Sequence, residues 1–430
     1  MKLNKWTIAG GTILVAAGLA PWAVGYVTEQ QWLQATEEVN QAQPFVRMET
    51  REYDRGVLGA EASGLITITD PATGERHEFE FDATVSHGVT GSLLDFQPRS
   101  GWEPEGANWF PEDDPQLTLE TRLWGAAVVE FQAPLTTIES ADDASSFRST
   151  GGLIRLDVSD LGEQAEFLMI WPGFVMDGPD GQVRVEEVQV EQTLEWLSGQ
   201  LWTGDGTMTV ESLTFDRQPA PALAIRGLSI DSESVANEAG TRLNSSIAMS
   251  VDSVQWAGDA YGPHRLNVAV DNLDVASWNA FAESMTEMQS LSAQTGDDPN
   301  AAFEQQMALM GQFNDALRGV AAAGFTLGIP ELLVSTPEGE VRGNLEISHP
   351  ELSADERDQM LMVMQQLTGS LNLSMPLALA ENNPMLQMQV APLIKEGLVV
   401  RDGERLVLDG RLQDLVLDVN GVEIPLPPLL

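Results

Sequence analysis

The sequence predicts an α+β protein: an N-terminal transmembrane helix followed by a mainly antiparallel, curved β-sheet or open roll with a few covering helices. Three observations lead to this prediction. Residues 6–27 are apolar and uncharged, period-two alternation dominates residues 45–275, and helical periodicity enters after residue 276. Strand patterns separated by turn signals, with few long helices between them, are typical of an antiparallel meander.

The first residues are predicted to anchor the chain in a membrane. A helix over residues 6–27 would be about 33 Å long at 1.5 Å per residue, and this length matches a hydrocarbon core about 30 Å thick. Lys2 and Lys5 precede this helix and acidic residues follow it. The positive-inside rule therefore places residues 1–5 in the cytoplasm and the bulk of the chain in the periplasm of a bacterial cell, anchored in the inner membrane by a single pass.

A cleaved signal peptide is the alternative for this segment. Its best small-residue site is Gly18-Leu19-Ala20, but Pro21 would follow the cut and disfavours cleavage there. We therefore predict an uncleaved anchor. A juxtamembrane helix is predicted over residues 28–44, and Pro44 ends it.

Residues 45–275 are predicted to form a β-rich, repetitive periplasmic region. Turn signals rich in Gly, Pro and Asp separate segments in which apolar and polar residues alternate. The segments are 65–69, 79–85, 116–123, 127–131, 183–190, 207–215, 223–230, 245–254 and 266–270. The later segments share an apolar-x-apolar pattern and an Asp near the turn that follows. This soft repeat indicates stacked strand units, or convergent strand patterning.

Residues 276–430 are predicted to form an α+β periplasmic region. Helices over 276–320, interrupted near Pro299, and over 350–367 are expected to cover one face or edge of the sheet. The remaining predictions are a hairpin turning at 336–339, a strand over 371–380, a short helix over 384–396 and a C-terminal hairpin turning at Asn420-Gly421. Met285, Met288, Met307 and Met310 are predicted to pack in the core, with a groove for a lipid or partner helix as the alternative.

The charge balance excludes some classes of partner. The chain has 65 Asp and Glu against 22 Lys and Arg, a formal net charge of −43. Such a surface repels phosphate backbones and anionic head groups, so we predict no nucleic-acid partner. Adaptation to a salty medium and recognition of a cationic partner both explain the charge. The chain has no cysteine, which excludes disulfides, thiolate nucleophiles and Cys-ligated metals.

No motif identifies a catalytic, cofactor-binding or metal site, so we predict none of these. The four histidines lack the i, i+4 spacing of a helical zinc pair. His87 precedes a glycine and is predicted to stabilise a turn, with a site role as the alternative. His77, His264 and His349 are predicted to be surface or capping residues.

Two other groups of residues have both a structural and a functional interpretation. The acidic clusters 112–114, Asp177 with Asp180, and 297–298 lack the spacing of a calcium-binding EF-hand loop and are predicted to be solvated turns. Trp102 and Trp109 flank a Pro- and Gly-containing loop. Core packing is predicted for the tryptophans in general, with a sugar-stacking or interface role for these two as the alternative.

Several short motifs occur in an order and spacing that resemble a known family. They are Glu52-Tyr53-Asp54-Arg55-Gly56, Ser86-His87-Gly88, Asp271-Asn272-Leu273-Asp274, and the closing segments 394–398 and 415–421. With the anchor, they resemble the YdgA-like family of bacterial inner-membrane-anchored periplasmic proteins, a domain of unknown function. The resemblance covers nearly the whole chain and implies location and fold, but no catalytic residues. Val89 stands where the family has proline, which weakens any shared role of that loop.

The strand repeat is more distantly similar to AsmA-like envelope proteins, which are implicated in lipid handling. Two functions are therefore considered. The first is a non-enzymatic envelope protein that binds an apolar, lipid-like ligand or a partner protein, including a second copy in a homodimer. The second is a carboxylate-dependent hydrolase acting on cell-envelope material, which requires two acids in contact within a cleft. The absence of catalytic motifs favours the first, without an enzymatic activity or a cofactor.

Overall fold

The computed structural model describes residues 21, 23–37, 39–40, 45–70, 73–140, 145–217, 222–293, 299–357 and 365–427. The chain divides into two compact units. Unit 1 comprises Met1–Pro179 with Glu186–Thr193, and unit 2 comprises Asp180–Val185 with Leu194–Leu430. Both are built from mainly antiparallel, open β-sheet with a few helices, which confirms this part of the predicted fold. The predicted boundaries at residues 44 and 275 remain predictions.

Unit 1 is a meander in which each strand pairs with its neighbour in sequence. Its strands are β1 (Val46–Arg55), β2 (Gly59–Thr69), β3 (Arg76–His87), β4 (Gly91–Pro98), β5 (Gln116–Arg122), β6 (Ala127–Ala133), β7 (Thr136–Glu139), β8 (Ser146–Ser149), β9 (Gly152–Ser159) and β10 (Gln164–Gly178). β6 and β7 form one interrupted strand, and so do β8 and β9, because β6 pairs with β9 and β7 with β8. β10 then pairs with both β8 and β9.

Unit 2 continues the same connectivity with longer strands. After β11 (Gly181–Ser198) come β12 (Leu201–Asp216), β13 (Leu223–Ala236), β14 (Arg242–Trp256), β15 (Asp259–Tyr261), β16 (His264–Asp274), β17 (Phe325–Thr336), β18 (Gly339–His349), β19 (Thr368–Pro376), β20 (Val400–Asp402), β21 (Arg405–Gln413), β22 (Val416–Val419) and β23 (Val422–Pro425). From β12 to β23 the pairing follows chain order, with β15 and β20 as short side branches.

Helices lie at the start of the chain and between the later strands. α1 is helical over residues 23–37 and 39–40. The others are α2 (Val275–Ala293), α3 (Pro299–Ala323), α4 (Ala354–Arg357), α5 (Leu377–Asn382) and α6 (Pro384–Lys395). Asp274 caps α2, because its carboxylate accepts hydrogen bonds from the backbone N–H and the hydroxyl of Ser277. The Asn383 side chain caps α6 in the same way.

Most predicted elements are confirmed, and one needs correction. The predicted strand over 371–380 ends at Pro376, where helix α5 begins instead. Proline has no N–H to extend the ladder, and the following Leu-Ala-Leu-Ala sequence favours a helix. The predicted helix over 350–367 begins at Ala354, and residues 358–364 lie outside the described part of the chain.

The predicted transmembrane segment lies largely outside the described residues, which include only 21 and 23–27 of residues 6–27. Within the part of the chain that the structure describes, no helix combines the length and the apolar character needed to cross a membrane.

Candidate functional site

In the described part of unit 2, four cross-strand rows on one face of the sheet carry no Asp, Glu, Lys or Arg side chain, and we call this region the uncharged face. Alternating residues of eight strands form it, in four cross-strand rows. One row is Met208, Ile230, Met249, Leu266, Leu332, Gly343, Leu373 and Leu408. A second is Val210, Leu228, Val251, His264, Val334 and Val341. A third is Gly206, Ser232, Ile247 and Val268 with Ile329, Leu345, Leu371 and Gly410. The fourth is Gly204, Ser234, Ser245, Val270, Leu327, Ile347, Gly369 and Leu412.

Charged residues are placed on the opposite face of the same strands. Asp231, Arg265, Glu331 and Arg342 alternate with the members of the four rows. The Thr207 hydroxyl donates to Asp231 at 2.9 Å there. Successive side chains of a strand point to opposite faces, so this alternation keeps charged side chains out of the four rows. In a chain with a net charge of −43, an uncharged face of this extent is a distinctive feature.

Helices border the uncharged face at two places and leave its middle open. Near one end of the strands, Trp278 of α2 and Val320 of α3 pack with Leu243 and Leu273. At the last strands, α5 and α6 pack against Leu406 and Leu408. Between these two clusters, Ile247, Met249 and Leu327 are 49%, 38% and 41% exposed. Large apolar side chains in mid-sheet thus remain accessible to solvent.

The bordering helices also expose methionines. Met307 and Met310 of α3 are largely exposed, so the prediction that they pack in the core is wrong. Met385 and Met388 of α6 are still more exposed. Because methionine is flexible and polarisable, it adapts to irregular apolar partners.

A second feature lies in unit 1, where α1 covers the first strands. His87, Ser92 and Thr121 are in register on β3, β4 and β5. The Ser92 hydroxyl lies 2.9 Å from Nδ1 of His87 and 2.8 Å from the Thr28 hydroxyl of α1. The Thr28 hydroxyl also lies 3.5 Å from that of Thr121. We call these four residues the polar row; all of them are buried.

Glycine is required where α1 crosses His87. A Cβ built on Gly25 would lie 2.6 Å from Nε2 of His87, closer than real Cβ contacts. That Nε2 atom is buried and has no hydrogen-bond partner in the part of the chain that the structure describes. Burial lowers the pKa of His87, and the nearby Arg55 guanidinium lowers it further. The imidazole is therefore neutral at pH 7.

Apolar contacts complete the α1 interface. Trp32 stacks on Phe96 with ring centroids 5.8 Å apart and meets Phe81 edge-on at 6.1 Å. Its indole N–H donates to the Thr50 hydroxyl at 2.8 Å. On the rim of this interface, Glu29 pairs with Arg55 at 3.4 Å.

The polar row contains a serine beside a histidine, but it lacks the features of a nucleophilic site. Ser92 is 2% exposed, and α1 lies over it. A substrate carbonyl has no route to its hydroxyl while α1 is docked. The arrangement therefore fixes α1 on the sheet. His87 is predicted from sequence to stabilise a turn, and the structure also places it at the docking site of α1. The His-Gly sequence gives no indication of this second contact.

The other residues singled out from sequence do not converge on a site. His77 is exposed, and His264 lies on the uncharged face. His349 is buried and its Nδ1 contacts the Pro350 carbonyl oxygen at 2.7 Å, so its predicted surface position is wrong. Trp102 and Trp109 are half-buried, and Trp102 packs near Phe131.

The acidic clusters also stay dispersed. Residues 112–114 are exposed, and 297–298 lie outside the described residues. Across the described part of the chain, no three His, Asp or Glu side chains are grouped so as to hold a metal ion.

These observations define a class: a mainly antiparallel, open-sheet protein with an uncharged face and a helix docked by a polar row. The chain belongs to a family of bacterial proteins of unknown function, DUF945, whose family model matches residues 3–427. No curated protein and no solved structure shows significant similarity to this chain.

Proposed function

We propose that the protein is a non-enzymatic, inner-membrane-anchored periplasmic envelope protein that binds an apolar, lipid-like ligand along the uncharged face of unit 2. The observation that carries this proposal is the uncharged face itself, with Ile247, Met249 and Leu327 exposed in mid-sheet. Exposed apolar patches of this kind in soluble regions mark binding surfaces, because leaving them in water costs about 25 cal/mol per Å².

The face matches an acyl chain better than a polar substrate. Its rows present aliphatic and thioether groups, and its few polar members are Ser and His264. Adjacent strands are about 4.8 Å apart, so eight strands offer a strip of roughly 34 Å, longer than a single extended acyl chain. The abundant carboxylates of the chain disfavour a ligand with an anionic head group.

The location rests on sequence. The predicted anchor over residues 6–27 and the resemblance to the YdgA-like family support an inner-membrane, periplasmic protein with a cytoplasmic N-terminus. The similarity of the strand repeat to AsmA-like envelope proteins supports a lipid ligand by analogy. The described part of α1 includes residues 23–27 of the predicted anchor and continues beyond it.

A partner protein is the second candidate, because Met385 and Met388 form an exposed apolar stripe on α6. Residues Pro384–Lys395 contain no acid, unlike most of the chain. Such a stripe suits a protein surface.

Native mass spectrometry of the gently purified protein, with lipid extraction of the same sample, tests the proposal. A co-purifying apolar molecule at fixed stoichiometry is the expected result. A ligand-free species that takes up no added fluorescent diacylglycerol, a lipid without an anionic head group, would overturn it. In that case the measured mass reports whether the partner is a second copy.

A matched pair of variants locates the site. Ile247→Asp places a charge on the uncharged face, whereas Ala248→Asp places the same charge one residue away on the opposite, exposed face. We expect Ile247→Asp to weaken diacylglycerol binding about tenfold or more, since a carboxylate buried under the ligand is costly. Ala248→Asp is expected to leave binding unchanged.

A further inference from the structure

The docking of α1 in unit 1 depends on a histidine that is buried in its neutral form. His87 is 8% exposed, and its ring is enclosed between Gly25 of α1 and the sheet. Nδ1 contacts Ser92, which bridges to Thr28 of α1. Nε2 has no hydrogen-bond partner among the described residues. In the protonated imidazolium both ring nitrogens carry a hydrogen, so Nε2 would be an N–H donor buried without an acceptor, on a ring that has become a cation.

The charged groups that face His87 do not compensate for such a cation. On α1, Glu29 follows Gly25 by one helical turn, and its carboxylate pairs with Arg55 of β1 at 3.4 Å. Arg55 itself opposes a positive charge on the imidazole. Tyr53 of β1 is neutral, because burial and the Glu29 carboxylate raise its pKa to about 12. β4 and β5 contribute the uncharged hydroxyls of Ser92 and Thr121.

We propose that protonation of His87 releases α1 from the sheet of unit 1, so that the polar row acts as an acid-sensitive switch for the surface beneath the helix. This inference is independent of the proposed ligand site in unit 2. It assigns a regulatory role to residues that the binding function does not use.

Release has a defined consequence for the surface of unit 1. Val85 and Leu94, which are 2% and 0% exposed under the helix, would become accessible. Their cross-strand row continues through Leu119 and Val129 to Leu156. Undocking of α1 would therefore expose Val85 and Leu94 beside the half-buried Leu119, Val129 and Leu156. The accessible apolar surface of this row would become longer.

The absence of cysteine allows a direct test on the full chain. Spin labels on Leu33→Cys of α1 and Asp95→Cys of β4, both exposed positions, report the helix-to-sheet distance by double electron–electron resonance. The full chain in a mild detergent is expected to give one narrow distance at about pH 8 and a broad, longer distribution at about pH 5. An unchanged distribution would overturn the proposal.

Two variants distinguish the effect of protonating His87 from the effect of protonating the many carboxylates. In His87→Gln the narrow distance is expected to persist at about pH 5, because the amide cannot be protonated there. The control His77→Gln, at an exposed histidine of the same strand, is expected to respond to acid like the parent. If His87→Gln releases α1 at the same acid pH as the parent, carboxylates cause the release and the proposal fails.

A third variant covers the case in which His87→Gln disturbs docking at neutral pH. Arg55→Gln removes the cation that opposes the protonated imidazole. The proposal requires a smaller release at about pH 5 in this variant. Release as complete as in the parent would overturn it.

Discussion

The start of the unit 1 sheet and the middle of the unit 2 sheet carry the same kind of aliphatic cross-strand rows, yet only the first is covered. Val85 and Leu94 under α1 are almost fully buried, whereas Ile247 and Met249 on the uncharged face are 49% and 38% exposed. The difference shows that an apolar row in this chain does not by itself imply a core.

Side-chain size distinguishes the two regions. The strands beneath α1 present Ala60, Ala62, Ala83 and Gly64 around the larger residues. Small residues let a helix approach closely, and Gly64 is in contact with the ring of Phe81. The uncharged face presents Met, Ile, Leu and Val instead. The chain therefore provides space for its own helix in unit 1 and leaves the larger side chains of unit 2 available to another molecule.

Truncating one leucine in each region should give the largest contrast. We expect Leu94→Ala to lower the free energy of unfolding by about 3 kcal/mol, because it leaves a cavity at a fully buried site. Leu266→Ala, on the uncharged face, is expected to cost about 1 kcal/mol, since part of this side chain is already in water. Urea unfolding measures both. Equal losses would show that the uncharged face is covered in solution.

Two glycine substitutions should change the stability of the protein in opposite directions. Gly25→Ala is expected to lower stability by about 1–3 kcal/mol, because its Cβ would collide with the His87 ring. Gly319→Ala in α3 has open space around the new methyl and is expected to raise stability by up to about 1 kcal/mol. Combining Gly25→Ala with His87→Ala should recover part of the loss. A neutral Gly25→Ala would contradict the close approach of α1.

Acid should affect the two regions in different pH windows. Because burial and Arg55 lower the pKa of His87, the unfolded chain binds this proton more readily, so stability is present above the ordinary value of 6.5 and is lost as pH falls below it. Burial tends to raise the pKa of Asp274, but the Ser277 hydrogen bonds and Arg242 outweigh it and hold that pKa below 3.8. The contribution of Asp274 is therefore lost only at more acidic pH.

Hydrogen exchange with corrected intrinsic rates can follow each region between pH 7.5 and 4.5. The α1 interface is expected to lose protection below about pH 6.5, while the first turn of α2 keeps its protection over the same range. Simultaneous loss in both regions would indicate general acid unfolding instead.

Local pattern allowed most of the fold to be predicted, because period-two alternation and turn residues act over a few positions. The Asn420-Gly421 turn is an example: both residues have positive φ, as a two-residue hairpin turn requires. The prediction places the end of strand β19 too late, because the apolar run Leu377–Ala380 also fits a buried strand, although its residues favour a helix. Composition shows that charge is abundant, but not that four cross-strand rows of the unit 2 sheet carry none.

The polar row was beyond sequence reasoning. Thr28 and Thr121 are 93 residues apart, and Ser92 lies between them in sequence. Neither the register of three strands nor the placement of a helix across them follows from spacing alone. The Gly25–His87 contact is of the same kind, because a glycine in an apolar helix has many explanations until its neighbour is known.

The meander has a consequence for how the chain folds. From β1 to β10 and again from β12 to β23, most strand pairings join strands that follow each other directly in the chain, as β1 with β2 and β12 with β13. Loop closure is cheap for such neighbours, and contacts between residues close in sequence form quickly. Each new strand can therefore add to a completed edge as synthesis proceeds from the N-terminus, without waiting for a distant partner. The open edge that remains at every stage is the growing end of the sheet.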